Sequence, residues 1–279
     1  MNNGAAPSVA DAIRVAADRL SPTSDTARLD AELLMAHALG VSRSRMLITL
    51  MREEEPPEFA PLVTRRAAFE PVAHILGAQE FCGLEFAVTP DTLIPRGDSE
   101  TIVEAALEVA PSASRVLDMG TGSGALLLAY LHENPGAAGV GTDASAAALR
   151  VAQTNAERLG LAERAQFREA NWLSEGWASD LGQFDLVLCN PPYVEDDAKL
   201  DPDVREYEPA SALFSGPEGL DDYRAVIPQL GKLLIPGGLA VLEIGAEQAA
   251  AVSEFARKAG FKTELRLDLA ERPRALILR

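Results

Sequence analysis

The chain has 279 residues, of which 47% are hydrophobic and 24% charged, and this composition excludes a disordered chain and allows a sizeable core. Its 42 acidic and 25 basic residues give a net charge of −17, which excludes a general electrostatic attraction to phosphate backbones or anionic lipids. Two cysteines, Cys82 and Cys189, are too few for a disulfide framework or a cysteine-rich zinc module, so we expect a cytoplasmic protein without a metal site.

Residues 1–76 are predicted to form a small all-helical domain. Capping residues followed by apolar residues at helical spacing predict four helices, which begin near Ser8, Asp25, Ser42 and Phe59. The pattern then changes, because apolar residues of Gln79–Val88 lie on both sides of Gly83 in the manner of a short hairpin. Residues 77–95 are therefore predicted to be a hairpin linker.

Residues 96–279 are predicted to form an α/β domain. The predicted strands are Arg115–Asp118, Gly139–Thr142, Ala165–Glu169, Phe184–Cys189, Leu239–Ile244, Lys262–Leu267 and Arg274–Leu278. The predicted helices lie near Ser99–Ala110, Gly124–Glu133, Ser145–Leu159, Gly219–Leu234 and Glu247–Ala259. This alternation indicates a mostly parallel sheet with helices on both faces. The connection Val194–Glu218 has little periodicity and many acidic residues, which is typical of a solvated lid or of a loop that binds a basic partner.

A glycine-rich turn joins the first strand of this domain to its helix. The turn consists of Gly120, Thr121, Gly122, Ser123 and Gly124. Its glycines let the backbone approach a ligand closely, and helix N–H groups point at the same place. Asp143 ends the next strand, where a carboxylate can accept hydrogen bonds from both hydroxyls of a ribose. The pattern indicates a nucleoside cofactor without deciding which, because Gly120, Gly122 and Ala125 also fit the dinucleotide-binding pattern.

The fourth strand runs directly into the tetrapeptide Asn190-Pro191-Pro192-Tyr193. Ligands of open α/β sheets bind at the carboxyl ends of strands, so Asn190 is expected to face the same crevice as the glycine turn. The Asn190 side-chain oxygen and the rigid carbonyl of Pro191 offer two acceptors for an NH2 group, and Tyr193 offers a flat wall. The tetrapeptide therefore indicates a site for a planar, weakly nucleophilic nitrogen.

Together with Asp118 and Asp143, this tetrapeptide resembles that of the S-adenosylmethionine-dependent amino-methyltransferases. A longer set of residues is similar to the HemK/PrmC-type release-factor glutamine methyltransferases. The set comprises Glu70-Pro71, Ile75-Leu76-Gly77, Glu80-Phe81, Gly83, Phe86, Val88, Leu93-Ile94-Pro95-Arg96, Asn155-Ala156, Tyr207-Glu208-Pro209, Ala212-Leu213, Gly219-Leu220-Asp221, Tyr223 and Leu242-Glu243-Ile244-Gly245. Two positions depart from the family pattern: Gly97-Asp98 replaces the usual Pro-Glu after Pro95-Arg96, and Asn171 replaces the Asp that often precedes the tryptophan.

The resemblance implies a seven-stranded Rossmann-like methyltransferase sheet, joined by the hairpin linker to a helical domain that docks the protein substrate. It implies S-adenosyl-L-methionine as cofactor, with the Gly120–Gly124 turn on its methionine part, Asp143 on its ribose, Trp172 by its adenine and Asn190 also in contact. It further implies that Asn190, Pro191, Pro192 and Tyr193 hold the substrate glutamine, the one in the GGQ motif of peptide chain release factors, with Asn190, Pro191 and Tyr193 as catalytic residues. A monomer that binds no nucleic acid is expected.

Several other functions stay open on the sequence. A glutamine of a ribosomal protein would suit the same tetrapeptide, and so would an exocyclic amine of a nucleic-acid base, although no basic strip accompanies it. A nicotinamide-dependent oxidoreductase would explain the glycine turn but not the tetrapeptide. A binding module without catalysis would explain neither the intact acceptors nor their position.

Overall fold

The computed structural model describes residues 7–279 and divides them into two compact units. The helical unit runs to Ala78 and also includes Leu200–Tyr207. The sheet unit comprises Gln79–Lys199 and Glu208–Arg279. Residues 1–6 of the predicted helical domain lie outside the described residues. No helix of the described chain has the length and apolar character needed to cross a membrane.

The described part of the helical unit contains six helices. With labels in chain order, they are α1 (Val9–Leu20), α2 (Ala27–Ala38), α3 (Arg43–Thr49), α4 (Phe59–Ala67), α5 (Val72–Leu76) and α9 (Pro202–Tyr207). Ser8 and Ser42 cap α1 and α3 as predicted, because their hydroxyls accept the backbone N–H of Asp11 and Arg45 at 3.2 and 3.3 Å. The apolar faces meet in a core that contains the fully buried residues Ile13, Leu20, Leu34, Met35 and Met46.

An ion pair is buried in the helical unit beside this core. The Nε of Arg66 donates to Asp30 at 2.7 Å, and both side chains are only 7% exposed. Asp30 also accepts from the hydroxyls of Ser24 and Thr26, at 2.8 Å each. On the same guanidinium, Nη2 lies 3.6 Å from the carboxylate of Asp203 in α9. The pairing satisfies charges that would otherwise be costly to bury.

The hairpin consists of β1 (Ala78–Phe81) and β2 (Leu84–Ala87). Cys82 and Gly83 form its two-residue turn, with φ of 50° and 71°. A turn of this length with two positive φ angles matches the right-handed twist of the strands it joins. The hairpin predicted over Gln79–Val88 is confirmed.

A seven-stranded sheet forms the centre of the sheet unit, as predicted. Its strands are β3 (Arg115–Met119), β4 (Ala138–Asp143), β5 (Ala165–Glu169), β6 (Phe184–Cys189), β7 (Leu234–Glu243), β8 (Thr263–Leu267) and β9 (Pro273–Leu278). Their order is β5-β4-β3-β6-β7-β9-β8, with β3 to β7 parallel and the last two antiparallel. The helices are α6 (Glu100–Val109), α7 (Ala125–Glu133), α8 (Ala146–Arg158), α10 (Asp221–Val226), α11 (Leu230–Leu233) and α12 (Ala249–Lys258).

Both faces of this sheet are buried. Alternation along β6 sends Leu186 and Leu188 to one apolar cluster and Val187 and Cys189 to the other. The first cluster includes residues of α6 and α7, and the second includes residues of α10, α11 and α12. Helices therefore cover both faces, which leaves the carboxyl edge of the parallel strands for a ligand.

The structure differs from the sequence-based prediction in several segments. The strand predicted over Leu239–Ile244 begins at Leu234 and ends at Glu243. The helix predicted over Gly219–Leu234 is interrupted by a 3-10 turn at Ile227–Gln229, where Pro228 lacks the N–H of a continuous helix. Residues Val72–Leu76 form a short helix that was not predicted. The segment Val194–Glu218 contains α9 in addition to irregular structure.

Candidate active site

The glycine turn and the tetrapeptide leave adjacent strands at the same edge of the sheet. Met119, the last residue of β3, is in register with Cys189, the last residue of β6. Gly120 and Asn190 therefore begin their loops side by side. The backbone N–H groups of Gly120 and Thr121 both donate to the carbonyl of Thr142, at 2.8 and 2.9 Å, which ties the turn to the end of β4.

A cavity of about 570 Å³ opens at this edge, and its volume lies in the range of small-molecule sites. Eight residues singled out from the sequence line it, namely Gly120, Thr121, Gly122, Ser123, Asp143, Trp172, Asn190 and Pro192. Gly124, Pro191 and Tyr193 are not among its lining residues. The cavity thus brings together residues from the glycine turn, the end of β4 and the tetrapeptide.

Asp143 bridges the glycine turn and the helix that follows β4. Its Oδ2 accepts the N–H of Gly122 and its Oδ1 accepts the N–H of Ser145, both at 2.9 Å. These bonds fix the orientation of the carboxylate. Each oxygen retains a further lone pair, so the group can still accept from a pair of hydroxyls.

Two glycines of the turn allow close approaches of different kinds. Gly120 has a φ of 71°, and a Cβ there would lie 3.0 Å from Cη2 of Trp172. Gly122 has a φ of 54°, and a Cβ there would have no atom within 4 Å. Trp172 therefore packs directly on the first glycine, while the backbone of the second is open to a ligand.

Gly124 has a packing role. Its φ is 83°, and a Cβ at this position would lie 3.0 Å from Cδ1 of Leu128 and 3.3 Å from Cβ of Ala152. These atoms belong to α7 and α8. The third glycine of the turn therefore lets these two helices approach each other.

Trp172 is held by its ring nitrogen. Nε1 donates to Oδ1 of Asp222 at 2.9 Å, and the other carboxylate oxygen of Asp222 accepts the hydroxyl of Ser215 at 2.7 Å. The preceding residue, Asn171, also lines the cavity, and its side-chain oxygen accepts the N–H of Leu173 at 2.8 Å. The indole is therefore fixed as a flat surface in the cavity wall.

Asp118, near the end of β3, is hydrogen-bonded to the glycine turn. It is fully buried, and its Oδ2 accepts the hydroxyl of Thr121 at 2.6 Å. Among the described residues, its Oδ1 has no hydrogen-bond partner. Burial raises the pKa of Asp118 from 3.8 to about 7, against the opposing effect of the Thr121 hydroxyl.

The hydroxyl of Tyr193 belongs to a network of charged side chains, of which Glu243 and Arg274 are buried. It donates to Oε1 of Glu243 at 3.1 Å, and Nη1 of Arg274 lies 3.5 Å away. Nη2 of Arg274 donates to Asp98 at 2.9 Å. Burial raises the pKa of both Tyr193 and Glu243. The tyrosine is thus anchored by its hydroxyl to the end of β7.

The cavity wall also includes residues for which no role was predicted from the sequence. They come from the segment after the hairpin and from the end of the long connection, and include Leu93, Pro95, Arg96, Ser99, Pro209 and Phe214. Arg96 donates to the buried carboxylate of Glu208, whose other oxygen accepts the N–H of Ile94 at 2.9 Å. The family resemblance, which includes Leu93–Arg96 and Tyr207–Pro209, was the only signal for four of them, and Ser99 and Phe214 had none.

Two family models match the chain. The description "PrmC N-terminal domain" matches residues 11–77, and "Methyltransferase small domain" matches residues 99–206. A release factor glutamine methyltransferase of Bradyrhizobium diazoefficiens is 43% identical over 98% of this chain and 95% of its own length. One of Moorella thermoacetica is 45% identical over 84% of this chain and 83% of its own length.

Solved structures support the fold. A methyltransferase from Pyrococcus furiosus aligns with a TM-score of 0.53 at 18% identity, over 79% of this chain and 98% of its own. The catalytic domain of hMettl16 aligns with a TM-score of 0.54 at 16% identity, over 78% of this chain and 81% of its own. Similarity at this level of identity establishes the methyltransferase fold. Because relatives of this name match nearly its whole length, the chain belongs to the release factor glutamine methyltransferase family. It is an enzyme whose cofactor is S-adenosyl-L-methionine.

Proposed function

We propose that this protein transfers a methyl group from S-adenosyl-L-methionine to the side-chain amide nitrogen, N5, of a glutamine in a peptide chain release factor. The observation that carries the proposal is the meeting of the glycine turn and the tetrapeptide at one cavity, in a chain whose relatives bear this name over nearly its whole length. We assign the target to the glutamine of the GGQ motif, as the family resemblance implies.

The residues of the cavity fit the cofactor. The carboxylate of Asp143 retains acceptor capacity for a ribose, the backbone at Gly122 is open, and Trp172 presents a flat ring. When bound, S-adenosylmethionine supplies an electrophilic methyl group on its sulfonium. We assign the Gly120–Gly124 turn to its methionine part, Asp143 to its ribose and Trp172 to its adenine.

The tetrapeptide orients a poor nucleophile. The lone pair of an amide nitrogen is delocalised into its carbonyl, so the nitrogen attacks only when it is well aimed. In the proposed mechanism, Oδ1 of Asn190 and the carbonyl of Pro191 each accept one N–H of the glutamine amide. This fixes the direction of the lone pair, and such orientation supplies up to roughly 7–11 kcal/mol in favourable cases. The methylated nitrogen is strongly acidic and loses its proton to water.

Pro192 and Tyr193 keep the acceptors in place. The two prolines fix φ and stiffen the loop. The hydroxyl of Tyr193 donates to the buried carboxylate of Glu243, which holds the end of the tetrapeptide in place. We therefore assign Tyr193 to the positioning of Asn190 and Pro191 as well as to contact with the substrate.

The helical unit is proposed to dock the protein substrate. Support comes from the family model that matches residues 11–77 separately from the methyltransferase part. The many acidic residues of Val194–Glu218 would suit a basic surface on the partner. We further propose that the enzyme works as a monomer in the cytoplasm and contacts its protein substrate without binding nucleic acid, consistent with its net charge of −17.

Mass spectrometry of candidate substrates tests this function. The full-length protein is incubated with S-adenosylmethionine and, separately, with a purified release factor, ribosomal proteins and a DNA oligonucleotide. We expect one methyl group on the release factor, located at the GGQ glutamine by peptide fragmentation. The matched controls are the Asn190→Ala enzyme and a release factor in which that glutamine is replaced by alanine. Methylation of a ribosomal protein or of adenine, with an unmodified release factor, would contradict the proposal.

A further inference from the structure

The charges on the cavity wall are unequal. Among its lining residues, all of which lie in the described part of the chain, the acidic ones are Asp91, Asp143 and Asp222. Arg96 is the single lysine or arginine among them. A ligand with one anionic group and two cationic groups would therefore find one cationic side chain for its anion.

S-adenosylmethionine has this charge pattern, with an ammonium, a sulfonium and one carboxylate. An unpaired carboxylate in a partly enclosed cavity beside three aspartates is electrostatically unfavourable, because the charges repel each other and lose solvation. A guanidinium compensates for this most effectively, since its planar N–H groups match the two oxygens of a carboxylate. We propose that Arg96 binds the carboxylate of the methionine part of S-adenosylmethionine; this inference rests on the function proposed above.

The hydrogen bond of Arg96 orients its guanidinium and leaves most of its donors available. Its guanidinium donates through Nη2 to the carboxylate of Glu208, which is only 1% exposed. Glu208 is itself held by the N–H of Ile94 at 2.9 Å. A guanidinium has five N–H donors, and the bond to Glu208 uses one of them. The side chain of Arg96 is 40% exposed, so it is both oriented by a buried partner and accessible from the cavity.

The position of Arg96 in the fold agrees with this role. It directly precedes the 3-10 turn Gly97–Ser99, which leads into α6, and Ser99 also lines the cavity. α6 packs against α7, the helix that begins at the glycine turn. Arg96 thus stands at the start of the helix next to the turn that we assign to the methionine part.

The neutral amide of the substrate is the competing ligand for Arg96. A guanidinium can donate to the side-chain carbonyl of the glutamine, but it forms stronger, charge-assisted hydrogen bonds with a carboxylate. The two ligands can be separated, because binding of the cofactor is measurable without any protein substrate. The test therefore compares two cofactors that differ only in the carboxylate.

Calorimetric titration of the full-length protein with S-adenosylmethionine and with its decarboxylated form provides this comparison. For Arg96→Met, we expect affinity for S-adenosylmethionine to fall by about 10- to 100-fold, the scale of a charge-assisted hydrogen bond. Affinity for the decarboxylated form, which has only cationic groups, should not fall. Arg96→Lys keeps the charge and loses the paired geometry, so it should lose less affinity for S-adenosylmethionine than Arg96→Met does. Arg257→Met, an exposed position on α12 outside the cavity, is the control for the change in net charge.

Each other outcome overturns the inference. Equal losses of affinity for both cofactors would show general damage to the cavity. No loss of affinity for either would show that Arg96 does not bind the cofactor and contacts the substrate or solvent instead. If Arg96→Met does not fold, the same comparison with Arg96→Lys decides, since a selective loss for the carboxylated cofactor is still required. Wild-type protein that binds neither cofactor would overturn the proposed function itself, whereas wild-type binding with an unaffected Arg96→Met variant would remove only this inference.

Discussion

The side-chain amide of Asn155 in α8 donates to the backbone carbonyl of Ser123 in the glycine turn at 2.9 Å. The same fully buried side chain also pairs with Ala87 of the hairpin, since Nδ2 donates to its carbonyl at 3.0 Å and Oδ1 accepts its N–H at 2.7 Å. One amide therefore joins the linker to the turn that lines the cavity.

Replacing this amide should loosen both attachments. Asn155→Ala leaves the two backbone groups of Ala87 and the carbonyl of Ser123 without their partner, so we expect a loss of about 2–4 kcal/mol in the free energy of unfolding. Chemical denaturation measures this loss, and calorimetry should show weaker cofactor binding. Gln153→Ala, an exposed position on the same helix, is the control and should change little. A stable Asn155→Ala protein with unchanged cofactor affinity would show that the turn holds its shape without this amide.

Asn190 should matter to the rate more than to cofactor affinity. Asn190→Ala removes one of the two proposed acceptors for the reacting NH2 group, and losing one preorganised contact typically costs roughly 10²–10³ in kcat. Asn190→Asp keeps an acceptor oxygen, so it should retain more activity than the alanine variant. Single-turnover methyl transfer at saturating cofactor measures both. If Asp is as poor as Ala, the NH2 of Asn190 is the important group, and wild-type turnover by Asn190→Ala would remove the residue from the site.

Gly120→Ala should destabilise the folded protein through both the backbone and the tryptophan. An L-residue at a φ of 71° costs roughly 1–2 kcal/mol, and the added Cβ would meet Trp172 at 3.0 Å. Trp172→Phe in the same protein removes the ring atom nearest to that Cβ. We therefore expect the second substitution to recover part of the stability lost in the first, as measured by thermal unfolding. Purely additive losses would mean that the Gly120→Ala effect lies in the backbone alone.

The contribution of Asp118 to stability should fall as the pH rises towards neutrality. Its pKa is raised from 3.8 to about 7, so the folded state binds the proton more tightly than the unfolded state does. The contribution of this group to the free energy of unfolding is therefore highest below pH 4 and falls as the pH rises to about 7. Asp118→Asn lacks this titration. We expect the stability of the variant relative to wild type to increase by ~1–3 kcal/mol between pH 5 and pH 8. A constant difference over this range would show that Asp118 titrates normally.

In the helical unit, removing the buried carboxylate of Asp30 should cost much more stability than removing the partly exposed carboxylate of Asp203. Asp30→Ala leaves the buried guanidinium of Arg66 without its main partner, and breaking such a pair typically costs about 3–5 kcal/mol. Asp203→Ala removes a carboxylate that is 30% exposed and 3.6 Å away, so its cost should stay below ~1 kcal/mol. Urea denaturation of both variants compares them. Equal losses would show that Asp203 contributes as much to holding Arg66 as Asp30 does.

Strands were predicted more accurately than side-chain partners, and the reason is physical. The strand Phe184–Cys189 has the predicted bounds, because the apolar run Leu186–Cys189 between polar residues is a local signal of a strand buried on both faces. The split of Gly219–Leu234 into shorter helices was missed although Pro228 was visible, since the apolar spacing continues across it.

The partners of the site residues could not be read from the sequence. Tyr193 and Glu243 are 50 positions apart, and Arg96 and Glu208 are 112 apart. Such pairs leave no periodic trace, because they depend on which strands become neighbours and on how loops return to the sheet. Sequence therefore indicates that a residue type lies at a strand end, whereas its hydrogen bonds follow from the assembled fold.

Because Leu200–Tyr207 belongs to the helical unit, the protein cannot be truncated or made into a chimaera at a single boundary. The chain passes between the units at Ala78–Gln79, at Lys199–Leu200 and again at Tyr207–Glu208. Tyr207 donates to the carbonyl of Ala68, and Asp203 faces Arg66, so α9 depends on residues far earlier in the chain. Removing residues 1–76 would strip α9 of these partners while leaving it attached on both sides to the catalytic part. The helical unit is therefore not an interchangeable module, and a chimaera that borrows it from a relative has to carry the matching α9 segment as well.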